Sequence, residues 1–433
     1  MADARPLLSL DDALQRLVQG AARFAITRTE ELSTFDALGR VLARAVVSAL
    51  DVPPQDNTSM DGYALRAGDV PAAGALLPVS QRIAAGVVGL ALQPGTAARV
   101  FTGAQVPPGA DAVVMQEQCE AVVGGGESGG ESADGGWGQV RVNTVPHAGQ
   151  WIRRRGEDVA SGATVLQVGA RLTPQALGLA ASVGAATLTV VAKPRVAIFS
   201  TGDELVMPGE PLKPGTIYNS NRYTLRGLVL AAGGVVTDLG IVPDRLDATR
   251  AALRAAARDN DLIITSGGVS AGEEDHLRPA ALAEGTLENW QIAIKPGKPL
   301  AFGSVRRDDG TSALFIGLPG NPVSSFVTFL LAVMPALRVL QGGGAVMSTA
   351  LPTVLPTALP LRAAFDWPLA DKRREFLRVR LNAQGEVELF PNQSSGVLTS
   401  AVWADGLVDN PGGQTIKRGD VIRYLPMASL LGG

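Results

Sequence analysis

Between residues 194 and 340 the apolar positions change period in a regular way. Short continuous apolar runs at 196–199, 235–239 and 262–265 read as strands, the last buried on both faces. The stretches at 220–232 and 247–258 read as helices, the first ended by Gly233-Gly234 and the second rich in alanine. Further strands are expected at 292–294, 300–302 and 314–316. Strand–helix alternation predicts a mostly parallel sheet with right-handed crossovers.

Residues 7–49 have a different pattern and read as helical. Ser9 is placed to cap a helix that carries Leu14, Leu17 and Val18 on one face. A second helix is expected over 36–46, with Leu38, Val41 and Leu42. From Asp51-Val-Pro-Pro onward, short apolar runs alternate with Gly and Pro, as in Arg99-Val-Phe-Thr-Gly and Ala112-Val-Val-Met, which predicts a β-rich domain over 51–150. Within it, 124–138 is rich in Gly, Ser and Glu and reads as a flexible loop between hairpin strands. Residues 151–193 are mixed and are expected to return to the N-terminal helices. The run 323–340 is broken by Ser324, Ser325, Thr328 and Pro335, so it reads as a buried core helix, not a membrane span. Beyond a hinge at Gly342-Gly-Gly344, runs at 376–381 and 387–390 flank Asn382-Ala-Gln-Gly385 as a hairpin, and 421–425 ends a small all-β domain.

Composition narrows the function classes. A chain of 433 residues is too long for one ordinary core. A net charge of −3 gives no reason to expect nucleic-acid binding. Cys119 is the single cysteine, which excludes an intrachain disulfide and suits a reducing, cytoplasmic setting; it reads as a small hydrophobe, not a nucleophile. The first residues lack the basic-then-apolar pattern of a signal peptide. His147 and His276 have no partners at metal spacing, so no zinc site is expected.

The candidate chemistry lies where the strands end. Leu262-Ile-Ile runs into Ser266-Gly-Gly-Val-Ser270, followed by Glu273, Glu274 and Asp275. Arg195-Val-Ala-Ile-Phe-Ser-Thr-Gly-Asp-Glu-Leu205 and Ala313-Leu-Phe-Ile-Gly-Leu-Pro-Gly-Asn-Pro322 repeat the grammar of apolar strand, small residues and glycine. One such turn is ordinary, but three on the carboxyl edge of a parallel sheet would build one pocket. Backbone amides suit phosphate, and carboxylates suit a hard cation such as Mg²⁺. Lys295-Pro-Gly-Lys-Pro299 supplies two lysines that can converge on an anion. Asp61, in Asn57-Thr-Ser-Met-Asp-Gly-Tyr63, fits an Asp-Gly turn. Arg153-Arg-Arg-Gly-Glu-Asp158 reads either as a self-neutralising turn or as an anion clamp.

Taken in order, several segments resemble the MoeA family of molybdopterin molybdenumtransferases, which includes the E-domain of gephyrin. They are Asp56-Asn-Thr-Ser-Met-Asp-Gly-Tyr-Ala64, Thr102-Gly-Ala104, Ala112-Val-Val-Met-Gln-Glu117, Ile152-Arg-Arg-Arg-Gly-Glu-Asp158, Ser200-Thr-Gly-Asp-Glu-Leu205, Ser266-Gly-Gly-Val-Ser270, Lys295-Pro-Gly-Lys-Pro299 and Leu318-Pro-Gly-Asn-Pro-Val323. The resemblance spans nearly the whole chain. It implies a multidomain α/β plus β molecule: 1–50 with 151–193 as a linker and dimerisation domain, 51–150 as an inserted β-rich domain, 194–342 as the α/β pterin-binding domain, and 343–433 as a C-terminal β domain of barrel-like form.

The implied reaction inserts molybdenum from molybdate into adenylylated molybdopterin and releases AMP, with Mg²⁺ assisting. By motif, Glu204, Asp244 and Asp275 resemble the acidic set near the diphosphate and Mg²⁺. Asp61, Thr102 and Asp158 resemble the contribution made across the cleft of a homodimer. Lys295 and Lys298 resemble the molybdate-side lysines, completed by Arg374 and Ser395. Ser220, Gly267, Gly268, Ser270, Pro319, Gly320 and Asn321 are the remaining substrate-binding candidates. His276 departs from the family, which often has Tyr after the acidic residue. Implied partners are small-molecule substrates and, transiently, molybdopterin adenylyltransferase and apo-molybdoenzymes, with no nucleic acid and no membrane. Two other readings stand beside this one. A molybdopterin adenylyltransferase would resemble 194–342 alone, and the extra domains and Met60-Asp61-Gly62 argue against it. A scaffold of the gephyrin E-domain type would not require the full acidic set. Tungstate, with the charge and nearly the shape of molybdate, fits the same pocket.

Overall fold

The computed structural model describes residues 7–122, 137–268, 276–343 and 355–432. At its centre is a six-stranded sheet in the order Val235–Val242, Arg195–Thr201, Leu262–Ser266, Ser312–Leu318, Pro299–Arg306, Gly285–Gln291. The first four strands are parallel. The last two pairings are antiparallel.

Strand pleating explains the continuous apolar runs. Val196, Ile198, Leu262 and Ile264 enter the core on one face, while Ala197, Phe199 and Ile263 enter the core on the other. One face is covered by the helix Ser220–Ala231 and the long helix beginning at Pro322. The other is covered by Leu246–Asp259 and Leu277–Glu284. The helix over Pro322–Gly342 has the length and apolarity to cross a membrane, but 89% of its most apolar window is buried. It is the central core helix expected from its polar interruptions. Gly342 at φ 82° supplies the left-handed turn near its end.

Two expected elements differ. No continuous strand spans 292–294: Ile292 makes only an isolated bridge to Leu8. Instead Gly285–Gln291 makes the sheet edge, and Ile294–Lys295 leaves this sheet to pair in parallel with Arg374–Glu375. An edge strand with exposed polar positions has no continuous apolar run to announce it. Nor does a helix form over 36–46. A short 3₁₀ turn at Thr34–Asp36 gives way to Gly39 at φ 74°, and Val41 and Leu42 form bridges to Arg171 and Val190. Their backbones bridge to neighbouring strands while Val41 and Leu42 enter two different cores, the alternation of an extended segment, so helical spacing there was accidental.

The first helix, Leu10–Ala21, starts as expected. Ser9 Oγ accepts the amide of Asp12 at 3.1 Å. Leu14 and Leu17 enter the same core as the central sheet. Thr29–Ser33 pairs with Thr187–Val191, and Val46–Val47 with Thr164–Leu166. A second six-stranded sheet, Ala112–Met115, Gly62–Leu65, Ala97–Val100, Ala75–Ile83, Gln139–Val142, Cys119–Val122, occupies the β-rich stretch. Its Cys119–Val122 and Gln139–Val142 strands pair antiparallel, and residues 123–136 of the loop between them lie outside the described residues. The Cys119 thiol is pushed up to about 12 by burial, consistent with an unreactive packing residue. A third sheet contains Arg374–Leu381, Gly406–Asn410, Val421–Pro426 and Leu359–Arg362. Its hairpin at 382–385 is closed by Asn382 Oδ1, which accepts the amides of Gln384 and Glu386.

Asp261 ties the N-terminal segment to the sheet. It accepts two bonds from the Arg28 guanidinium at 2.9 and 2.8 Å and one from the Arg195 amide at 2.8 Å. We expect Asp261→Ala to lower unfolding free energy by about 1–3 kcal/mol, since it removes a mostly buried carboxylate that accepts three bonds, two of them from a charged guanidinium. Urea denaturation reads this directly, and an unchanged midpoint would show that the tie is dispensable.

Candidate active site

The parallel strands Arg195–Thr201, Leu262–Ser266 and Ser312–Leu318 lie side by side, so their carboxyl ends meet at one edge. Thr201-Gly202, Gly267-Gly268 and Pro319-Gly320-Asn321 follow these strands and line one cleft of about 830 Å³. Two of the glycines are required by the backbone. Gly267 has φ 89° and a Cβ there would stand 3.1 Å from the Thr201 carbonyl; Gly202 has φ 139° and sits against Glu204. Beneath the turns, the Ser200 and Ser266 hydroxyls lie 3.0 Å apart and join the two strand ends.

Glu204 and Asp244 line the cleft. Their carboxylates make no hydrogen bond or ion pair among the described residues. The Lys295-Pro-Gly-Lys-Pro299 loop supplies further lining. A Cβ at Gly297 would stand 2.3 Å from Thr328 Oγ1, so this loop lies close against the long core helix. Lys295 Nζ lies 3.1 Å from Glu375, which is 1% exposed, and 3.4 Å from Asp371. Lys298 is exposed and has no carboxylate partner among the described residues. The bend just before the strand Arg374–Leu381 adds Arg373, and a later turn of the C-terminal segment adds Gln393, Ser394 and Ser395. Arg373 grips Asp371 through two nitrogens at 3.0 and 2.8 Å. Those bonds hold the Asp371 carboxyl well below the usual carboxylate range, and they raise the Arg373 guanidinium.

The cleft therefore gathers Glu204, Asp244, Gly267, Gly268, Lys295, Lys298, Pro319, Gly320, Asn321 and Ser395 from six separate segments. Ser270 and Asp275 lie outside the described residues. Ser220 opens its helix but is not part of the lining; next to it, Asn221 donates to the Gly320 carbonyl at 2.7 Å and braces the Pro319–Asn321 turn from below.

Arg374 requires a correction. It points away from the cleft, bonds Asp409 at 2.5 and 2.7 Å, and reaches Asp11 at 3.1 Å. Arg373 takes its place in the cleft. Successive residues entering a strand face opposite sides, so only one arginine of the pair can turn inward. Sequence reading also missed Thr201, Ser324, Gln393 and Ser394, small polar residues that stand out only once the loops meet.

Asp61, Thr102 and Asp158 do not line this cleft. Asp61 Oδ1 accepts both the amide and the hydroxyl of Thr102 at 2.7 Å, which holds its carboxyl below the ordinary value. Thr58 links their segment to the 152–153 strand, through its pairing with Ile152 and through bonds with Gly103 and Ala104. The arginines of the 153–158 turn are not neutralised within the turn: Arg154 bonds Asp56 at 2.7 Å and Arg155 bonds Asp51 at 2.6 Å. Asp158 is left exposed beside them.

Comparison with known proteins matches this arrangement along the chain. Residues 8–184 match the MoeA N-terminal region (domain I and II), 197–339 a probable molybdopterin binding domain, and 360–427 the MoeA C-terminal region (domain IV). The chain is 40% identical over 336 residues to molybdopterin molybdenumtransferase of Haemophilus influenzae, covering 78% of each. It is 39% identical over 387 residues to molybdopterin molybdenumtransferase 2 of Mycobacterium tuberculosis, covering 87% of this chain and 89% of that one. Among solved structures, the molybdopterin biosynthesis moeA protein of Pyrococcus horikoshii superposes with a TM-score of 0.80 at 28% identity, covering 97% of this chain and 100% of that one.

Proposed function

The chain belongs to the MoeA family of molybdopterin molybdenumtransferases, and from that premise we propose that its cleft transfers molybdenum from molybdate to adenylylated molybdopterin with release of AMP. It is a transferase of molybdenum cofactor biosynthesis. The observation that supports the finer reading is the combination within one cleft of free carboxylates, glycine turns and cations. A substrate with a pyrophosphate at its centre and an oxyanion delivered beside it needs all three.

Gly267, Gly268 and Gly320 let amides approach the pyrophosphate where a side chain would intervene. Lys298 and Arg373, with the Ser394 and Ser395 hydroxyls, suit a tetrahedral dianion, and Lys295 adds charge already shared with Glu375. Magnesium fits the donors present: Glu204 and Asp244 offer hard oxygens, and Mg²⁺ commonly takes one or two carboxylates together with phosphate oxygens and water. Asp275 joins this set by its place in the motif. Bound there, the ion would neutralise phosphate charge as the phosphoanhydride breaks.

Asp61, Thr102 and Asp158 act, in this reading, on the cleft of a second copy, which makes a homodimer the working unit. Their position outside their own chain's cleft supports this, as do the exposed side chains of Phe35, Leu38 and Val47. The same reading has the protein work in the cytoplasm, in passing contact with molybdopterin adenylyltransferase and apo-molybdoenzymes.

The test is AMP release by purified protein given adenylylated molybdopterin, Mg²⁺ and molybdate. Release should depend on molybdate, and release that ignores molybdate would defeat the proposal. Lys298→Ala should raise the molybdate concentration needed by about tenfold, the scale of one hydrogen bond to a charged group, and leave pterin binding within twofold. Lys298 is the sharper choice because Lys295 is already engaged by a buried carboxylate.

A further inference from the structure

Arg378 is the largest fully buried side chain among the described residues, 1% exposed. It sits in the strand Arg374–Leu381, on the same strand as the lining arginine's neighbour but deeper in the fold. Its partners are all neutral oxygens: Ser400 Oγ at 3.2 Å, the Phe376 carbonyl at 3.1 Å and the Ser394 carbonyl at 3.4 Å. No carboxylate pairs with it among the described residues. A buried guanidinium is ordinarily matched by an acid, because an unmatched charge in the interior is strongly unfavourable. Burial lowers this group to about 10, which leaves it charged at neutral pH.

The fold spends several further bonds on the same spot. Gln393 clamps the Arg378 backbone, its Oε1 accepting the amide at 2.9 Å and its Nε2 donating to the carbonyl at 3.0 Å. Ser400 Oγ in turn donates to the Val397 carbonyl at 2.7 Å. The Ser395 carbonyl accepts the Val323 amide at 2.9 Å, at the start of the core helix. Gln393, Ser394 and Ser395 are the residues by which this turn lines the cleft. Arg378 thus stands directly behind the wall that faces the oxyanion, joined to it through the Ser394 carbonyl.

We infer that Arg378 is a positioning residue for the oxyanion end of the cleft: its guanidinium fixes the Ser394–Ser395 turn and adds a buried positive charge that only an incoming anion offsets. The inference rests on the oxyanion reading given above. Because the charge is shielded from water, it acts at short range without the screening that weakens Lys298. Lys295 cannot serve this purpose equally, since Glu375 and Asp371 already answer its charge.

The experiment uses the full-length protein with adenylylated molybdopterin and a molybdate titration, alongside pterin-nucleotide binding and thermal melting. Arg378→Met should raise the half-saturating molybdate concentration about tenfold or more, with nucleotide affinity within twofold of wild type. Arg378→Lys keeps the charge and loses the fork, so it should show a smaller rise in the same direction. Should Arg378→Met fail to fold, Arg378→Lys decides. A folded variant with the wild-type molybdate dependence, or one losing molybdate and nucleotide affinity equally, would overturn the assignment. Lys298→Ala separates the two levels: if it shifts the molybdate dependence and the Arg378 variants do not, Arg378 has no such role, and if none shifts it, the oxyanion reading itself fails.

Discussion

Replacing Glu204 with Gln, or Asp244 with Asn, should leave a folded protein that binds adenylylated molybdopterin but releases AMP on the order of a hundredfold more slowly, the scale of losing one preorganised electrostatic contact. The fold should tolerate the change because neither carboxylate bonds to anything among the described residues. Both line the cleft, unused by the scaffold, beside the glycine turns. In the proposed reading, a cation lies between these carboxylates and the phosphate, because bare carboxylates beside it would repel it. The magnesium concentration for half-maximal rate should therefore rise in each variant. Wild-type rate together with wild-type magnesium requirement in both would remove these residues from the acidic set. Equal losses of rate and of melting temperature would point to a structural role that the bonding pattern does not suggest.

Mixing a chain carrying Asp61→Ala with one carrying Glu204→Gln should restore activity that neither has alone. The argument is geometric. Asp61 and Thr102 are held together by two bonds of 2.7 Å on a sheet separate from the central one, outside the cleft of their own chain. If they serve catalysis, they serve another copy. Random exchange in a two-fold dimer makes half of the molecules mixed, each with one intact site of two, so recovery should reach roughly a quarter of the wild-type rate. Exchange can be verified by mass difference between the chains. A fully exchanged mixture as inactive as both parents would show that the site is not shared in this way.

How much of this was legible in the sequence follows from burial. Strands covered on both faces leave unbroken apolar runs, so 196–199, 262–265 and 314–316 were readable and their glycine turns with them. The long core helix was readable because its serines, threonine and proline set it apart from a membrane segment. The edge strand Gly285–Gln291 was not, since exposure at its polar positions erases the run. The 36–46 stretch misled because Val41 and Leu42 are apolar at helical spacing, while Gly39 and the bridges to Arg171 and Val190 decide otherwise. Arg374 and Arg373 were indistinguishable without knowing which side of the strand faces inward. Arg378 could not be singled out at all: an arginine in a β hairpin reads as solvent-facing until its 1% exposure is seen.

The two-residue strand Ile294–Lys295 has a mechanical consequence. It belongs by sequence to the loop after the central sheet's edge strand, yet its backbone is stitched to Arg374–Glu375 of the C-terminal sheet. Lys295 is also riveted to Glu375 and Asp371, and Asp371 to Arg373. Any swing of the C-terminal sheet must carry Lys295, Asp371 and Arg373 together as a single stiff jaw. The spacing among those charges is then preserved through the motion, whereas the Glu204 and Asp244 side chains, which also line the cleft, bond to nothing among the described residues and are free to reorient.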